Sequence, residues 1–395
     1  MKIASKAIIL IIFCAVLIGV IIYARGYRPD ITNKTISSTG ILAISSNPKA
    51  AKIYVNGILK GVTDTNITLP PDRYKIEIKK DGYTTWTKQI TLKGELVISL
   101  DALLFPINPS LSPLTNLGIQ KAVSVDQTGN ILLFTQNNDV EKDGVYLFQT
   151  SQKPLSFLPP LKMLLLKKSL PTDIDFKQDI KIYFSPDYKQ AIIEFNTKYS
   201  YLVSTEETNQ NIFTVEDESK KNLLAKWQEE KQKNDVKILE TFSKDFAKIA
   251  SDSFKVISFS PDETKLLYKA NSNFHLPLII NPPLIASNQV TEQRILIKDH
   301  YYVYDKKEDK NFSLNEAFAK AIDYVLWYPD SKHLVANYSK KISITDYDGE
   351  NNRLVYSGFS EQPFYTTTSD GKIITLANFN PEVNQLPDLY LVGIK

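Results

Sequence analysis

The chain has 395 residues, a formal net charge of +3 and a single cysteine, Cys14. This length gives room for two or three domains, and the small net charge, with basic residues spread along the chain, argues against a nucleic-acid partner. Because Cys14 lies in an apolar N-terminal run, the rest of the chain cannot contain disulfides, cysteine zinc sites or a catalytic cysteine.

The first predicted element is a transmembrane helix at residues 7–24, an unbroken apolar run. As a helix this run is about 27 Å long, close to the roughly 30 Å of a bilayer core. Basic and tyrosine residues flank it and no small-x-small motif follows, which favours an uncleaved anchor over the alternative, a cleaved signal peptide. Residues 1–6 would then be a cytoplasmic tail, residues 25–39 a stalk, and the bulk of the chain extracytoplasmic.

Residues 40–104 show the alternation of a small β domain. The pair Asn56-Gly57 indicates a tight hairpin, and apolar residues alternate with charged ones over residues 74–79. The segment resembles the PEGA domain through the motifs Ser45-Ser46-Asn47-Pro48, Ile53-Tyr54-Val55-Asn56-Gly57, Leu69-Pro70-Pro71-Asp72-Arg73-Tyr74 and Gly82-Tyr83. The resemblance implies a small β-sandwich of a cell-envelope protein, with no catalytic residue to carry over.

From residue 117 to residue 395 a strand–turn–strand pattern repeats. Two copies read Phe-Ser-Pro-Asp, at residues 184–187 and 259–262, and a third reads Tyr328-Pro329-Asp330. The proline presets the second position of a type I turn, and the aspartate can bond to nearby backbone N–H groups. Weaker copies are centred on Asp126 and Asp370. One turn type explains all five aspartates without a catalytic role.

These repeats resemble the TolB-like and WD40-like β-propellers through the Phe-Ser-Pro-Asp signature. The resemblance implies an all-β propeller of about five blades, with six or seven as alternatives, after a Pro-rich linker at residues 105–116. A hairpin cannot bury its apolar face alone, so the copies must stack on one another. We expect residues 117–125 to pair with the C-terminal strand and close the ring, because closure removes exposed strand edges.

Three stretches interrupt the repeats. Residues 155–170 are apolar. They predict either an exposed patch for a partner or a flap buried on the propeller, and we favour the buried flap. Residues 219–250 predict a helical insertion. It is either a pair of helices that binds a partner or a solvated segment with one packed face, and we favour the solvated segment. Residues 271–299 resemble a long blade loop and are the preferred recognition element, with an inert loop as the alternative.

The sequence contains no residue set that predicts chemistry. His275, His300 and His333 have no partner at metal-ligand spacing, and the acidic stretch at residues 346–350 is better explained by a turn than by a calcium loop. A nucleophile elbow and a phosphate-binding loop are both missing from the sequence. We therefore predict no catalytic, cofactor-binding or metal-binding residue.

The predicted function is that of a single-pass, membrane-anchored envelope protein whose propeller loops bind a protein or a cell-envelope glycan without catalysis. One alternative is a propeller-based hydrolase, whose active site would join residues distant in sequence. The other is an extracytoplasmic sensor, which would need a partner subunit because the short N-terminal tail cannot hold a signalling domain.

Overall fold

The structure is a computed structural model. It describes residues 2–24, 27–30, 35–125, 129–137, 139–150, 161–284, 288–314, 325–338, 341–358 and 364–394. Within these residues the chain is predominantly β, as predicted, with few helices among many strands. It divides into two compact units, Met1–Ile107 with Ile285–Thr291, and Asn108–Leu284 with Glu292–Lys395.

The first unit contains an N-terminal helix and nine strands: α1 (Lys2–Ala24), β1 (Tyr27–Asp30), β2 (Thr35–Ser38), β3 (Gly40–Asn47), β4 (Lys52–Val55), β5 (Ile58–Val62), β6 (Thr65–Leu69), β7 (Asp72–Lys79), β8 (Trp86–Leu92) and β9 (Val97–Leu103). The strand order is β6-β3-β9 in one sheet and β5-β4-β7-β8 in another. Side chains of both sheets share one core, which includes Leu42, Ile53, Ile76 and Leu100. This unit is therefore a β-sandwich.

Helix α1 holds the apolar run for which an anchor is predicted. Its side chains are exposed throughout residues 8–21, where the structure describes them. Among the residues that are described, no helix combines the length and the apolarity needed to cross a membrane.

The second unit contains five four-stranded antiparallel sheets. It begins with β10 (Ser110–Pro113), which belongs to the last sheet. Sheet 1 consists of β11 (Ile119–Ser124), β12 (Ile131–Thr135), β13 (Gly144–Phe148) and β14 (Leu161–Leu166), and a short 3-10 helix follows at Lys167–Ser169. Sheet 2 consists of β15 (Ile180–Phe184), β16 (Gln190–Phe195), β17 (Tyr199–Ser204) and β18 (Phe213–Thr214).

Helices α2 (Asp217–Glu240) and α3 (Lys244–Ser253) connect sheet 2 to sheet 3, where the helical insertion is predicted. Sheet 3 consists of β19 (Phe254–Phe259), β20 (Lys265–Ala270), β23 (Tyr301–Asp305) and β24 (Lys310–Ser313), and a separate ladder, β21 (Phe274–His275) with β22 (Ile295–Leu296), interrupts it. Sheet 4 consists of β25 (Val325–Trp327), β26 (His333–Tyr338), β27 (Lys341–Asp346) and β28 (Arg353–Ser357), and sheet 5 of β29 (Tyr365–Thr367), β30 (Ile373–Ala377), β31 (Asp388–Gly393) and β10.

Apolar clusters of described residues join three pairs of these sheets. Sheets 1 and 2 share an apolar cluster in which Phe134 lies 6.4 Å from Phe195 between ring centroids. Sheets 3 and 4 share another, which includes Leu267 and Trp327. Sheet 5 packs on sheet 1 through a third apolar cluster. This cluster contains side chains of both sheets, among them Leu376. Strands β12, β13 and β30 are buried at every position because both of their faces are covered.

Sheets 2 and 3, and sheets 4 and 5, are joined by polar or helix-mediated contacts. Lys220 of α2 donates to the buried Glu194 of sheet 2 at 2.8 Å. Phe246 of α3 stacks on Tyr304 of sheet 3 at 4.1 Å between ring centroids. In sheet 5, Tyr365 donates its hydroxyl to the carbonyl of Val335 in sheet 4 at 3.1 Å. Direct contacts therefore join sheets 1 and 2, 3 and 4, 4 and 5, and 5 and 1. Sheets 2 and 3 are connected through helices α2 and α3.

The repeated turn has the predicted type I geometry. In each described copy the residue after the aspartate donates its N–H to the carbonyl three residues earlier: Tyr188 to Ser185, Glu263 to Ser260, Ser331 to Tyr328 and Gly371 to Thr368. The aspartate accepts the N–H two residues further on, from Lys189 to Asp187, Thr264 to Asp262 and Lys332 to Asp330. Asp126 lies outside the described residues. The turn accounts for the repeated aspartates.

The strand that pairs with the C-terminus is not the predicted one. β10 pairs antiparallel with β31, with Ser110 opposite Gly393 and Pro113 opposite Tyr390, whereas Ile119–Ser124 forms the first strand of sheet 1. The pairing strand lies inside the predicted linker 105–116, whose prolines suggested a loop. Because β10 is the outer strand of sheet 5, Pro113 can lack an N–H there without breaking an interior ladder.

Part of the predicted insertion at residues 155–170 is a regular strand. Residues 155–160 lie outside the described residues, and Leu161–Leu166 is β14, the fourth strand of sheet 1. Leu164, Leu165 and Leu170 are buried. An exposed apolar patch is therefore wrong for residues 164, 165 and 170, and the favoured interpretation of a buried segment is confirmed there.

Candidate functional site

The structure gives different surroundings to the three histidines named from the sequence. His275 lies exposed in β21, and His300 is exposed with its Nδ1 3.1 Å from the carbonyl oxygen of Lys298. No group of three His, Cys, Asp or Glu side chains could hold a metal ion among the described residues. The acidic stretch at residues 346–350 is a turn, in which Gly349 donates its N–H to Asp346 O at 2.9 Å.

His333 is buried between two aspartates, which sequence reasoning missed. Its Nδ1 lies 2.7 Å from Asp330 Oδ2 and its Nε2 3.3 Å from Asp346 Oδ1. Burial acts to lower the pKa of His333, but hydrogen bonds and the charges of both aspartates outweigh burial and raise the pKa to about 10. Aligning the repeats could have indicated this pairing. Lys265 occupies the position of His333 in the preceding copy, and it lies 3.5 Å from Asp305. His333 and Lys265 each pair with an aspartate on the neighbouring strand of their own sheet.

Asp309 is the centre of a buried polar cluster that holds the predicted recognition loop. Its carboxylate accepts the backbone N–H groups of Ile279 and Ile280, each at 2.9 Å, and the hydroxyl of Tyr304 at 2.9 Å. Burial, the charge of Asp309 and this hydrogen bond raise the pKa of Tyr304, so the hydroxyl keeps its proton and remains a donor.

Arg294 completes the cluster from the other side of the loop. Its Nη2 lies 3.1 Å from Asp309 Oδ1, its Nη1 donates to the carbonyl of Pro277 at 2.8 Å, and its Nε lies 2.9 Å from Glu292 Oε2. The Arg294 side chain is 12% exposed and that of Asp309 3%. A shielded pair of opposite charges, with its remaining donors and acceptors satisfied, fixes the loop backbone at residues 277, 279 and 280.

The fixed backbone leaves large apolar side chains in solvent. Leu276 and Leu296 are buried underneath, whereas Leu278, Leu284, Ile295 and Ile297 are 49%, 47%, 65% and 47% exposed, respectively. We call the segments 276–284 and 295–297 the apolar loop. Large apolar side chains that are exposed on segments joined through the β21–β22 ladder can form a protein-binding surface. The arrangement offers apolar contact area on a preformed backbone rather than a reactive group.

Comparisons with known proteins agree with the resemblance to the PEGA domain. Residues 39–108 match the model of the PEGA domain, which confirms that resemblance for the sandwich. No curated protein matches the chain. Among the solved structures that match is a protein assigned as TolB from Agrobacterium tumefaciens, with 12% sequence identity and a TM-score of 0.20. That match covers 63% of this chain and 66% of the other chain, just under two thirds of its length.

Proposed function

We propose that this chain is a membrane-anchored, extracytoplasmic envelope protein that binds a protein partner through the apolar loop. The observation that carries the proposal is the loop, whose apolar side chains are exposed on a backbone held by Arg294 and Asp309. A segment already held in one conformation loses little entropy on binding. These leucines and isoleucines are about half exposed, so each can contribute roughly half of the about 1.5–3 kcal/mol that burial of a wholly exposed side chain supplies.

We infer that the five sheets are the blades of a five-bladed β-propeller. Contacts between successive sheets, and between the fifth and the first, support this arrangement. The pairing of β10 with β31 supports it further, because it joins the two ends of the second unit in one sheet. Loops that emerge from such a rigid scaffold are suited to recognition.

The proposed location rests on the two N-terminal segments. Residues 7–24 form an unbroken apolar run flanked by basic residues and tyrosines, the sequence pattern of an anchor, and the PEGA match suits an envelope protein. We propose that the N-terminal side of this run lies in the cytoplasm and that both folded units lie outside.

Site-specific photocrosslinking in intact cells tests the proposed function. A photoreactive residue replaces Leu278 or Ile295 in the full-length chain, and the same residue replaces the exposed Glu229 of α2 as a control. We expect one recurrent protein adduct at positions 278 and 295 and its absence at position 229. In a 278 probe that also carries Asp309→Ala, the yield of this adduct should fall, because the loop loses its anchor.

The pattern of adducts decides the outcome. The same adducts at all three positions, or none at positions 278 and 295, would overturn a specific binding role for the apolar loop. Adducts confined to cytosolic proteins would overturn the proposed location instead.

A further inference from the structure

Strand β6 carries an Asn-x-Thr sequence, Asn66-Ile67-Thr68, which is the acceptor pattern for N-linked glycans. β6 is an edge strand of the three-stranded sheet, since the order is β6-β3-β9. Asn66 and Thr68 are both exposed, whereas Leu69 of the same strand is buried. Because side chains two residues apart in a strand share a face, the acceptor amide and the hydroxyl point to the same side.

Asn66 differs in its exposure from the other acceptor asparagines that the structure describes. Asn311 is fully buried in β24, where its side chain accepts from the hydroxyl of Tyr268 and donates to the carbonyl of Gln293. Asn337 is buried in β26. The pattern that begins at Asn33 starts outside the described residues. Of the acceptor asparagines that the structure describes, Asn66 alone is exposed.

A shallow concavity of about 350 Å³ adjoins Asn66 on the outer face of the sheet. Ala43 lies opposite Asn66 and Ser99 lies opposite Ala43, so small side chains leave the space open. Hydroxyl and carboxylate groups of Ser45, Ser99 and Asp101 line it, and Ser45 Oγ lies 3.1 Å from Asp101 Oδ1. These groups offer hydrogen-bond donors and acceptors to the hydroxyls of a sugar attached beside them.

We propose that Asn66 is an N-glycosylation site and that the concavity receives the first sugar. The proposal rests on the extracytoplasmic location proposed above. The donor is a polyprenyl-phosphate-linked oligosaccharide, and a membrane-bound transferase acts on the exposed edge strand. The amide nitrogen of Asn66 forms a bond to the anomeric carbon and loses one proton to a base of the transferase. The bond from that carbon to the phosphate oxygen breaks, and its electron pair leaves with the lipid phosphate, so nothing is oxidised or reduced.

Peptide mass spectrometry of the full-length protein, purified from cells that make it naturally, tests the proposal. Trypsin cuts after Lys60 and Arg73 and releases residues 61–73 with Asn66 as their one asparagine. We expect this peptide to carry a glycan mass, and the peptides that contain Asn311 and Asn337 to carry none. The glycan should be lost in Asn66→Gln and in Thr68→Ala but kept in Thr68→Ser, which preserves the hydroxyl.

Two readouts separate this proposal from the proposed location. Unchanged thermal midpoints establish that the variants fold, as expected for exposed side chains. If protease added to spheroplasts digests the second unit and residues 61–73 are unmodified, the glycosylation proposal is overturned and the location stands. If the second unit is protected from that protease, the proposed location and the proposed glycosylation are both overturned. A glycan that persists in Thr68→Ala would also overturn the assignment.

Discussion

In the four repeats that the structure describes, the residue after the aspartate adopts a left-handed backbone conformation. Its φ is +58° at Tyr188, +54° at Glu263, +61° at Ser331 and +84° at Gly371. A left-handed conformation costs a non-glycine residue about 1–2 kcal/mol, whereas glycine loses roughly 0.5–1 kcal/mol more entropy on folding. We therefore expect Glu263→Gly to raise the free energy of unfolding of the second unit by about 0.5–1 kcal/mol, measured as a higher thermal midpoint.

Position 263 isolates the backbone effect from side-chain contacts. Tyr188 contacts the ring of Phe184, and Ser331 accepts the backbone N–H of Asp262 at 3.0 Å, so replacing either would also remove contacts. Glu263→Ala is the matched control, because alanine removes the same side chain but keeps the Cβ strain. An equal gain from both variants would contradict the explanation.

His333 makes the stability of sheet 4 depend on pH. Between pH 6.5 and about 10 the folded protein binds one more proton at His333 than the unfolded chain does. The free energy of unfolding therefore falls as pH rises, by up to about 1.4 kcal/mol per pH unit. The contribution is complete below pH 6.5. His333→Lys should remove this slope up to pH 9.5, because lysine stays protonated in both states and can face Asp330 and Asp346 as Lys265 faces Asp305.

Unfolding curves of wild type and His333→Lys from pH 6 to pH 9.5 give the measurement. Parallel curves for wild type and His333→Lys would mean that His333 is not charged between Asp330 and Asp346.

At the scale of elements, one carboxylate fixes the conformation of the apolar loop. Asp309→Ala removes the acceptor for Ile279 and Ile280 and leaves Arg294 without its buried partner. Removing one member of a buried ion pair typically costs about 3–5 kcal/mol. We expect hydrogen exchange in residues 276–284 to accelerate at least tenfold, and the thermal midpoint to fall. Asp309→Asn should have a smaller effect, because an amide oxygen can still accept both N–H groups.

A surface ion pair near the same loop serves as the control for this prediction. Lys269 and Asp299 lie 2.7 Å apart, and the Asp299 side chain is largely exposed. Asp299→Asn should leave exchange in residues 276–284 unchanged, since exposed pairs contribute little. Equal acceleration in the Asp299 and Asp309 variants would show that the loop is not held by the buried cluster.

The sequence predicted the elements whose determinants are local. The turns at residues 184–187, 259–262 and 328–330 follow from proline, aspartate and the flanking apolar runs, and the hairpin at Asn56-Gly57 follows from its dipeptide. The helices at 217–240 and 244–253 overlap the predicted insertion at 219–250. In each case a few adjacent residues decide the backbone conformation, so a single sequence contains the needed information.

The missed features depend on residues that are distant in the chain. Asp309 holds backbone groups about 30 residues earlier, at Ile279 and Ile280, and no local pattern reports such a pairing. β10 is a strand because β31 pairs with it, although Pro113 and its proline-rich surroundings suggest a loop. β14 contains an apolar run at residues 163–166 that fits a buried strand as well as a flap. Tertiary contacts decided these three cases.

At the scale of the whole second unit, stability depends on joining its two ends. An unjoined fifth sheet would expose the strands that β10 and sheet 1 now cover. Asp388 strengthens the junction, since its carboxylate accepts from the hydroxyl of Thr115 at 2.9 Å and from the N–H of Leu117 at 2.7 Å. The segment near residue 117 thus contacts the C-terminal strand even though β10 forms the ladder.

A disulfide across β10 and β31 tests this junction. Ser112 lies opposite Leu391, and directly opposed residues have Cβ atoms about 4.5–5.5 Å apart, near the roughly 3.8 Å mean of a disulfide. In a Cys14→Ser background, Ser112→Cys with Leu391→Cys should oxidise readily. Because the bond closes a very long loop, it should stabilise the second unit by about 2–4 kcal/mol, and reduction should reverse the gain. Intact mass and thermal midpoint, with and without reductant, give the measurement.

The register of the ladder provides the control. Ser110→Cys with Leu391→Cys moves one cysteine by two residues along the same face of β10, to a diagonal about 7–8 Å away. This pair should stay reduced under the conditions that oxidise the first, because the strands would have to slide to form the bond. If both pairs oxidise equally fast, or the Ser112 pair stays reduced, β10 does not hold the ends of the second unit together in this register.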